Sequence, residues 1–85
     1  MRELKYVITD PQGIHARPAG ELVKAAKGFE AAVQIKKDGK TADCKKIFSI
    51  MGLGIKAGQE ITMTFEGNDE DAACEAIGKF MKENL

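Results

Sequence analysis

The sequence predicts an α+β fold in which helices cover one face of a four-stranded antiparallel sheet. Apolar and polar residues alternate with the period of a strand around Tyr6, Ile35 and Met63. In the stretches that follow Ala19 and Ala73, apolar residues recur every three or four positions, as in an amphipathic helix. The order strand, helix, strand, strand, helix, strand, helix favours an antiparallel sheet with one covered face.

The first strand carries its apolar side chains at Leu4, Tyr6 and Ile8, and the segment Asp10-Pro11-Gln12-Gly13 ends it. We predict a first helix from about Ala16 to Lys27, with Gly28 at the C′ position beyond the helix end, where glycine is common. Its apolar face consists of four residues, Ala19, Leu22, Val23 and Ala26. Gly20 on this helix leaves a flat surface beside the helix start.

The next two strands form a hairpin. Val33 and Ile35 alternate with polar residues, Asp38-Gly39 is a strong turn signal, and the chain resumes as a strand at Thr41. The final strand carries Ile61, Met63 and Phe65. Both segments therefore predict strands with one buried face.

A short second helix is predicted at Ile47–Met51, ended by Gly52 and Gly54. Because Ile47, Ile50 and Met51 are spaced i, i+3, i+4 on one face, we expect Phe48 to be exposed. The last helix is predicted to have Asn68 as its N-cap. The acidic residues that follow, Asp69-Glu70-Asp71, complement the helix dipole, and we assign them no binding role.

Composition limits the classes of function. The 85 residues suffice for one domain, spanning 1–85, and the net charge of zero argues against a nucleic-acid-binding protein. The sequence has neither the long apolar run of a membrane-spanning segment nor the basic and then apolar start of a secretory signal. We therefore expect a cytoplasmic protein. Cys44 and Cys74 form no CxxC motif, and with a single histidine they predict no metal site. We interpret both as reduced, buried thiols, although a disulfide stays open at this point.

The segment Gly13-Ile14-His15-Ala16-Arg17-Pro18 holds the only histidine, at or just before the start of the first helix. The free N–H groups and dipole of a helix start attract anions, and a first-turn proline gives up an N–H that has no helical partner. A neutral imidazole can attack phosphorus with its free nitrogen lone pair, and the guanidinium of Arg17 can bind phosphoryl oxygens. The segment therefore predicts a phosphate-handling site, with a simple cap or surface histidine as the alternative.

These residues resemble the active-site signature of the HPr family, the histidine-containing phosphocarriers of the bacterial phosphoenolpyruvate-dependent sugar phosphotransferase system. The resemblance extends over nearly the whole chain. It includes the length, the position of His15, the turn Gly39-Lys40-Thr41, the segment Ile47–Ile55 and the acidic start of the last helix. It implies an open-faced β-sandwich of order βαββαβα with three helices on one face.

The resemblance also implies function. His15 would accept a phosphoryl group through Nδ1 from enzyme I of the system and pass it to sugar-specific enzyme IIA proteins, with Arg17 and the backbone N–H of Ala16 binding the phosphate. The protein would be a monomeric carrier rather than an enzyme, and would need no cofactor. We expect the partners to dock on a wider surface, for which the candidates are Gly20, Lys24, Lys27, Lys45, Ile47, Phe48 and Met51.

Two positions depart from the family pattern. Lys46 stands where many members carry a regulatory serine, so that phosphorylation site is not transferred to this chain, and nothing in the sequence shows that Ser49 replaces it. Gln12 replaces the small polar residue usual at its position, so any side-chain bond that supports the loop there is in doubt.

Two other classes of function compete with a phosphocarrier. A non-catalytic regulatory module of the same fold is disfavoured because His15, Arg17 and Pro18 are all present. A metal or nucleic-acid binder would need a Cys/His cluster or a basic, aromatic surface. The sequence does not indicate which sugars are served.

Overall fold

The computed structural model describes residues 1–85 and contains four strands and three helices. The strands are β1 (Arg2–Val7), β2 (Ala32–Lys37), β3 (Lys40–Asp43) and β4 (Glu60–Glu66). The helices are α1 (Ala16–Lys27), α2 (Ile47–Met51) and α3 (Glu70–Asn84). The predicted α+β class and the element order βαββαβα are confirmed.

The sheet has the strand order β1-β4-β2-β3, and all its neighbouring strands are antiparallel. The interior strand β4 aligns Ile61 with Tyr6 of β1 and Met63 with Ile35 of β2, so apolar side chains from neighbouring strands share one face. The predicted hairpin joins β2 to β3 through Asp38 and Gly39, whose φ angles of 50° and 81° suit a type I′ turn.

The helices pack against the apolar face of the sheet. The α1 face predicted from its helical period is buried, and α3 buries Ala73, Cys74, Ile77 and Met81. The polar residues of β4, such as Thr62 and Thr64, point to the opposite, open face. No helix of the protein is both long enough and apolar enough to span a membrane.

The start of α3 differs from the prediction. Asp69, not Asn68, is the N-cap residue, and its side chain makes no capping bond. Instead its carboxylate accepts the backbone N–H groups of Glu30 and Ala31, each at 2.8 Å. These bonds, the one from Glu30 foremost, lower the pKa of Asp69, and the charge of Lys45 adds to the effect. The residue therefore ties α3 to the turn before β2, a long-range role that local sequence does not reveal.

The end of α1 also differs in detail. Gly28 follows the helix as predicted, but its φ of −74° is right-handed, so the backbone there does not require glycine. The N–H of Gly28 donates to the carbonyl of Ala25 at 3.2 Å. The Nζ of Lys45 donates to the carbonyl of Phe29 at 2.9 Å, so a side chain from beyond β3 satisfies the backbone just after the helix end.

The short helix α2 confirms part of its prediction. Phe48 is 85% exposed and Ile50 is fully buried, but Met51, expected on the inner face, is 40% exposed. Successive residues lie about 100° apart around a helix. Because α2 turns Ile50 directly towards the core, its neighbour Met51 lies at the side and reaches solvent.

Both cysteines are free and buried, as the interpretation of reduced thiols requires. Burial raises the pKa of Cys44 to about 12, with a smaller contribution from the negative charge of Asp43. A thiol with such a pKa carries almost no thiolate at neutral pH, so Cys44 is a core residue without nucleophilic character.

Candidate functional site

His15 is the N-cap residue of α1, as its place before the helical pattern predicted. Its backbone is extended, with φ −100° and ψ −176°, and its carbonyl accepts the N–H of Ala19 at 3.0 Å. Its side chain makes no capping bond, so the imidazole is free for other chemistry. The N–H groups of Ala16 and Arg17 donate to no protein acceptor, and Pro18 in the same turn has no N–H. The helix start therefore presents two open donors beside the imidazole, as an anion site requires.

The loop before α1 is fixed by Gly13. This residue has φ 67°, and a Cβ at its position would overlap the carbonyl oxygen of Ile55 and lie 2.7 Å from the Cα of Lys56. The N–H of Ile14 donates to that same Ile55 carbonyl at 3.1 Å. The loop thus lies directly against the segment before β4, and only glycine permits this approach. This contact sets the point at which the chain enters α1 and hence the position of His15.

The turn at Asp10 holds the other end of the loop. One carboxylate oxygen of Asp10 accepts the N–H of Gln12, and the Asp10 carbonyl accepts the N–H of Gly13, both at 2.8 Å. The side chain of Gln12 takes no part in these bonds, so the loop is supported by Asp10 rather than by the residue at position 12.

His15 and Arg17 line one cleft of about 200 Å³, together with Asp10, Pro18, Glu21 and Asn84. The His15 Nε2 lies 3.7 Å from Asp10 Oδ2, and the His15 side chain is 37% exposed. The Arg17 side chain is 87% exposed, and its Nε lies 3.8 Å from Glu21 Oε1. An exposed ion pair of this length is weak, so the guanidinium can turn towards an anion in the cleft. Within the cleft, Arg17 thus pairs with Glu21, and the Asp10 carboxylate faces the His15 ring.

Three residues of the cleft were missed in the sequence. Glu21 follows Arg17 by four positions, and this i, i+4 spacing on one helix could have identified it. Asp10 could have been noticed as an acidic residue in the turn before the histidine. Asn84 comes from the far end of the chain, and no local signal indicates it.

The predicted docking residues fall into two groups. Gly20, Ile47, Phe48 and Met51 belong together at the contact of α1 with α2, where a Cβ on Gly20 would lie 3.7 Å from Ile47 Cδ1. Phe48 and Met51 are the exposed apolar residues of this region.

The three lysines form the second group. Lys24 and Lys27 lie in the last turn of α1, and a rise of about 1.5 Å per residue puts Lys27 roughly 18 Å along the helix from His15. Lys45 is engaged with the Phe29 carbonyl at that same end. None of these three lysines lines the cleft at His15.

Lys46 and Ser49 lie on the exposed side of the second helix region. Lys46 is the N-cap residue of α2 and carries no hydroxyl that could be phosphorylated. Ser49 is exposed within the helix.

A larger groove of about 630 Å³ lies on the open face of the sheet, away from His15. Its lining is entirely polar and mixed in charge, and it includes Glu3, Lys5, Lys36 and Glu60. It contains neither histidine nor cysteine, so this groove offers no nucleophile comparable to His15 in the smaller cleft.

The fold and the cleft define a small α+β protein that presents a histidine at a helix start to receive an anionic group. Comparison with known proteins names the class. The profile of the PTS HPr component phosphorylation-site family matches residues 2–83, and the chain belongs to the HPr family of phosphocarriers in the sugar phosphotransferase system.

Individual relatives agree with this assignment. A phosphocarrier protein HPr of Lysinibacillus sphaericus is 41% identical over 83 residues, which cover 98% of this chain and 94% of the relative. The histidine-containing phosphocarrier protein of Mycoplasma superimposes with a TM-score of 0.94 at 39% identity, covering 96% of this chain and 93% of the other. An HPr dimer of Thermoanaerobacter tengcongensis has a TM-score of 0.78 at 34% identity, covering 98% and 95%.

Proposed function

We propose that His15 is the phosphoryl acceptor of this phosphocarrier, and that Nδ1 is the attacking atom. The observation that carries the proposal is the half-exposed imidazole at the N-cap of α1, beside the unpaired N–H groups of Ala16 and Arg17. A phosphoryl group on the ring would meet these donors and the positive end of the helix dipole. A histidine that served only as a cap would accept one of these N–H groups with its side chain, and the His15 ring does not.

The choice of Nδ1 is supported by the orientation of the ring. Nε2 is the nitrogen next to the Asp10 carboxylate, at 3.7 Å, so the other nitrogen is the one left for attack. In the transfer, the Nδ1 lone pair forms a bond to phosphorus while the bond from phosphorus to the donor breaks, and its electron pair stays with the donor. Catalysis of such an in-line transfer rests on positioning and on stabilising the charge of the phosphoryl oxygens.

Arg17 and the backbone of Ala16 would bind those oxygens. The guanidinium is exposed and held only by the long contact to Glu21, so it can move the short way to a group on His15. Its planar fork suits two phosphoryl oxygens at once, which a lysine could not bind in the same way.

We infer that the donor is phosphorylated enzyme I and that the acceptors are sugar-specific enzyme IIA proteins. These partners would cover the cleft and the apolar patch formed by Phe48 and Met51, with Gly20 and Ile47 shaping the surface between them. Exposed apolar side chains beside a reactive group favour a transient protein interface. Lys24, Lys27 and Lys45 would contribute at its edge by attracting acidic surfaces.

The proposal also covers the location, the domain content, the oligomeric state and the regulation of the carrier. We infer a cytoplasmic carrier formed by one domain, 1–85, that acts as a monomer, although an HPr of T. tengcongensis forms a dimer. Lys46 would make the carrier insensitive to regulation by serine phosphorylation at that position.

The test is intact-mass analysis after incubation with phosphoenolpyruvate and purified enzyme I, with His15→Ala in parallel. We expect one acid-labile phosphoryl group on the parent and none on the variant. Transfer to a panel of enzyme IIA proteins would then identify the acceptors. If a donor proven on another HPr does not phosphorylate the parent, the proposal is wrong and a non-catalytic regulatory module becomes the better interpretation.

A further inference from the structure

We infer that Asp10 is a positioning residue for the phosphoryl transfer, holding the His15 ring so that the proton resides on Nε2 and the lone pair on Nδ1. This inference rests on the proposed function of His15. It is carried by one juxtaposition, the carboxylate of Asp10 facing Nε2 of His15 across 3.7 Å, and by the rigidity with which that carboxylate is held.

Asp10 is anchored through both its backbone and its side chain. Its N–H donates to the main-chain oxygen of Leu85 at 3.0 Å, and its carbonyl accepts the N–H of Gly13 at 2.8 Å. Its Oδ1 accepts the N–H of Gln12 at 2.8 Å, which leaves Oδ2 directed to the histidine. Three bonds thus fix both the backbone and the side chain, so the carboxylate keeps its place without a contribution from His15.

The chemistry follows from the position of the charge. A neutral imidazole carries its proton on either nitrogen, and a carboxylate beside Nε2 stabilises the tautomer protonated there. The distance of 3.7 Å is that of an ion pair rather than a tight hydrogen bond, so the interaction strengthens when the ring becomes positive.

The ring becomes positive during transfer. When the Nδ1 lone pair bonds to phosphorus, the proton on Nε2 stays and the ring acquires a positive charge opposite Asp10. When the phosphoryl group moves on, the P–N electron pair returns to that ring, and a positive ring is the better leaving group. Asp10 therefore favours acceptance by stabilising the positive charge that forms, and it favours release by keeping the proton on Nε2, without which the leaving ring would carry a negative charge.

No other charged side chain in the cleft duplicates this role. Arg17 and Glu21, both on α1, pair with each other at 3.8 Å, and Asn84 at the end of α3 is neutral. In the loop that carries the histidine, Asp10 supplies the single carboxylate within ion-pair distance of the ring.

The decisive variant is Asp10→Asn, because its amide oxygen can still accept the Gln12 N–H while the charge facing Nε2 is lost. The matched control is Asp71→Asn, which removes the same charge about 20 Å from Asn84 along α3. Since the chain has one histidine, the ¹⁵N shifts of its ring nitrogens report the tautomers without ambiguity.

In the neutral ring we expect the ratio of the Nε2–H to the Nδ1–H tautomer to fall at least about twofold in Asp10→Asn and to stay unchanged in Asp71→Asn. The phosphorylated Asp10→Asn protein should also lose its phosphoryl group to water more slowly at neutral pH. Asp10→Glu, which retains the charge, should restore the ratio at least in part. Should Asp10→Asn not fold, Asp10→Ser takes its place, because it also removes the charge and keeps an oxygen that can accept the Gln12 N–H.

An unchanged tautomer ratio in folded Asp10→Asn would overturn the inference, because a purely structural Asp10 predicts that result. The ring measurement needs no partner protein. A clear tautomer shift in a protein that accepts no phosphoryl group would therefore support the orienting role of Asp10 while refuting the proposed function of His15.

Discussion

The carboxylate of Asp69 accepts the backbone N–H of Ala31 at 2.8 Å, across 38 positions of sequence. With the companion bond from Glu30, this contact joins the start of α3 to the turn that enters β2. Since β2 and α3 both contact β4, the bond links two parts of the core at the end of the domain away from His15. It also accounts for the low pKa of Asp69, since both N–H groups favour the charged carboxylate.

We expect Asp69→Asn to lower the free energy of unfolding at pH 7, because an amide cannot accept both N–H groups with a charged oxygen. The folded pKa of Asp69 lies below its unfolded value near 3.8, so this stabilisation is present above that pH and is lost as the pH falls through the folded pKa. Urea unfolding of the parent and of Asp69→Asn, at pH 7 and below pH 3, would show whether the difference in their free energies of unfolding disappears in acid. The control is Asp71→Asn, an 80% exposed partner of Arg2, and a difference from the parent that persisted unchanged in acid would contradict the assignment.

Gly13→Ala should lower the free energy of unfolding by more than the strain of a positive φ angle alone would. Gly54 has a similar φ of 62° but open space around it, so Gly54→Ala reports the backbone strain, about 1 kcal/mol. At Gly13 the new Cβ also overlaps the Ile55 carbonyl, and we expect a loss on the order of 3 kcal/mol together with slower phosphoryl acceptance. Equal losses in both variants, measured by chemical denaturation, would show that the close approach is unimportant.

Phe48→Ala separates partner binding from stability. Because Phe48 is 85% exposed, we expect the free energy of unfolding to change by less than about 0.5 kcal/mol. Loss of a central apolar anchor should weaken binding to enzyme I by about tenfold or more, measured by calorimetry. Ile50→Ala, at a fully buried position of the same helix, should show a different pattern, a loss of roughly 2–5 kcal/mol in stability. Unaltered binding by a folded Phe48→Ala would remove this residue from the interface.

Cys44 should make the protein sensitive to alkali. Burial raises the pKa of the folded Cys44 thiol from 9.0 to about 12. Below pH 9 the thiol is neutral in both the folded and the unfolded protein, so the contribution of Cys44 to stability is fully present. Above pH 9 the unfolded thiol ionises while the folded one does not, and stability falls by up to about 1.4 kcal/mol per pH unit until the folded pKa. Unfolding measured from pH 8 to 11 for the parent and Cys44→Ala tests this, since the variant should lack that part of the slope. Identical slopes would refute it.

The sequence determined those features that depend on neighbours along the chain. The period of the apolar residues gave each strand and helix, Asp38-Gly39 indicated the hairpin, and the place of His15 before a helical pattern indicated its N-cap position. The exposure of Phe48 followed from the same reasoning. These features are local because hydrogen bonding within a helix or turn, and the side of an element that a residue occupies, are set over a few positions.

The tertiary structure alone decided the features that bring distant segments together. It placed Asp69 rather than Asn68 at the start of α3, turned Met51 outward, and brought Asn84 into the cleft of His15. Each outcome depends on how helices rotate and pack on the sheet, and packing responds to the shape of the whole core rather than to local propensity. The sequence therefore identified His15 as the candidate phosphoryl acceptor, whereas the orientation of the Asp10 carboxylate towards its ring is defined only when the loop, α1 and the end of α3 are packed together.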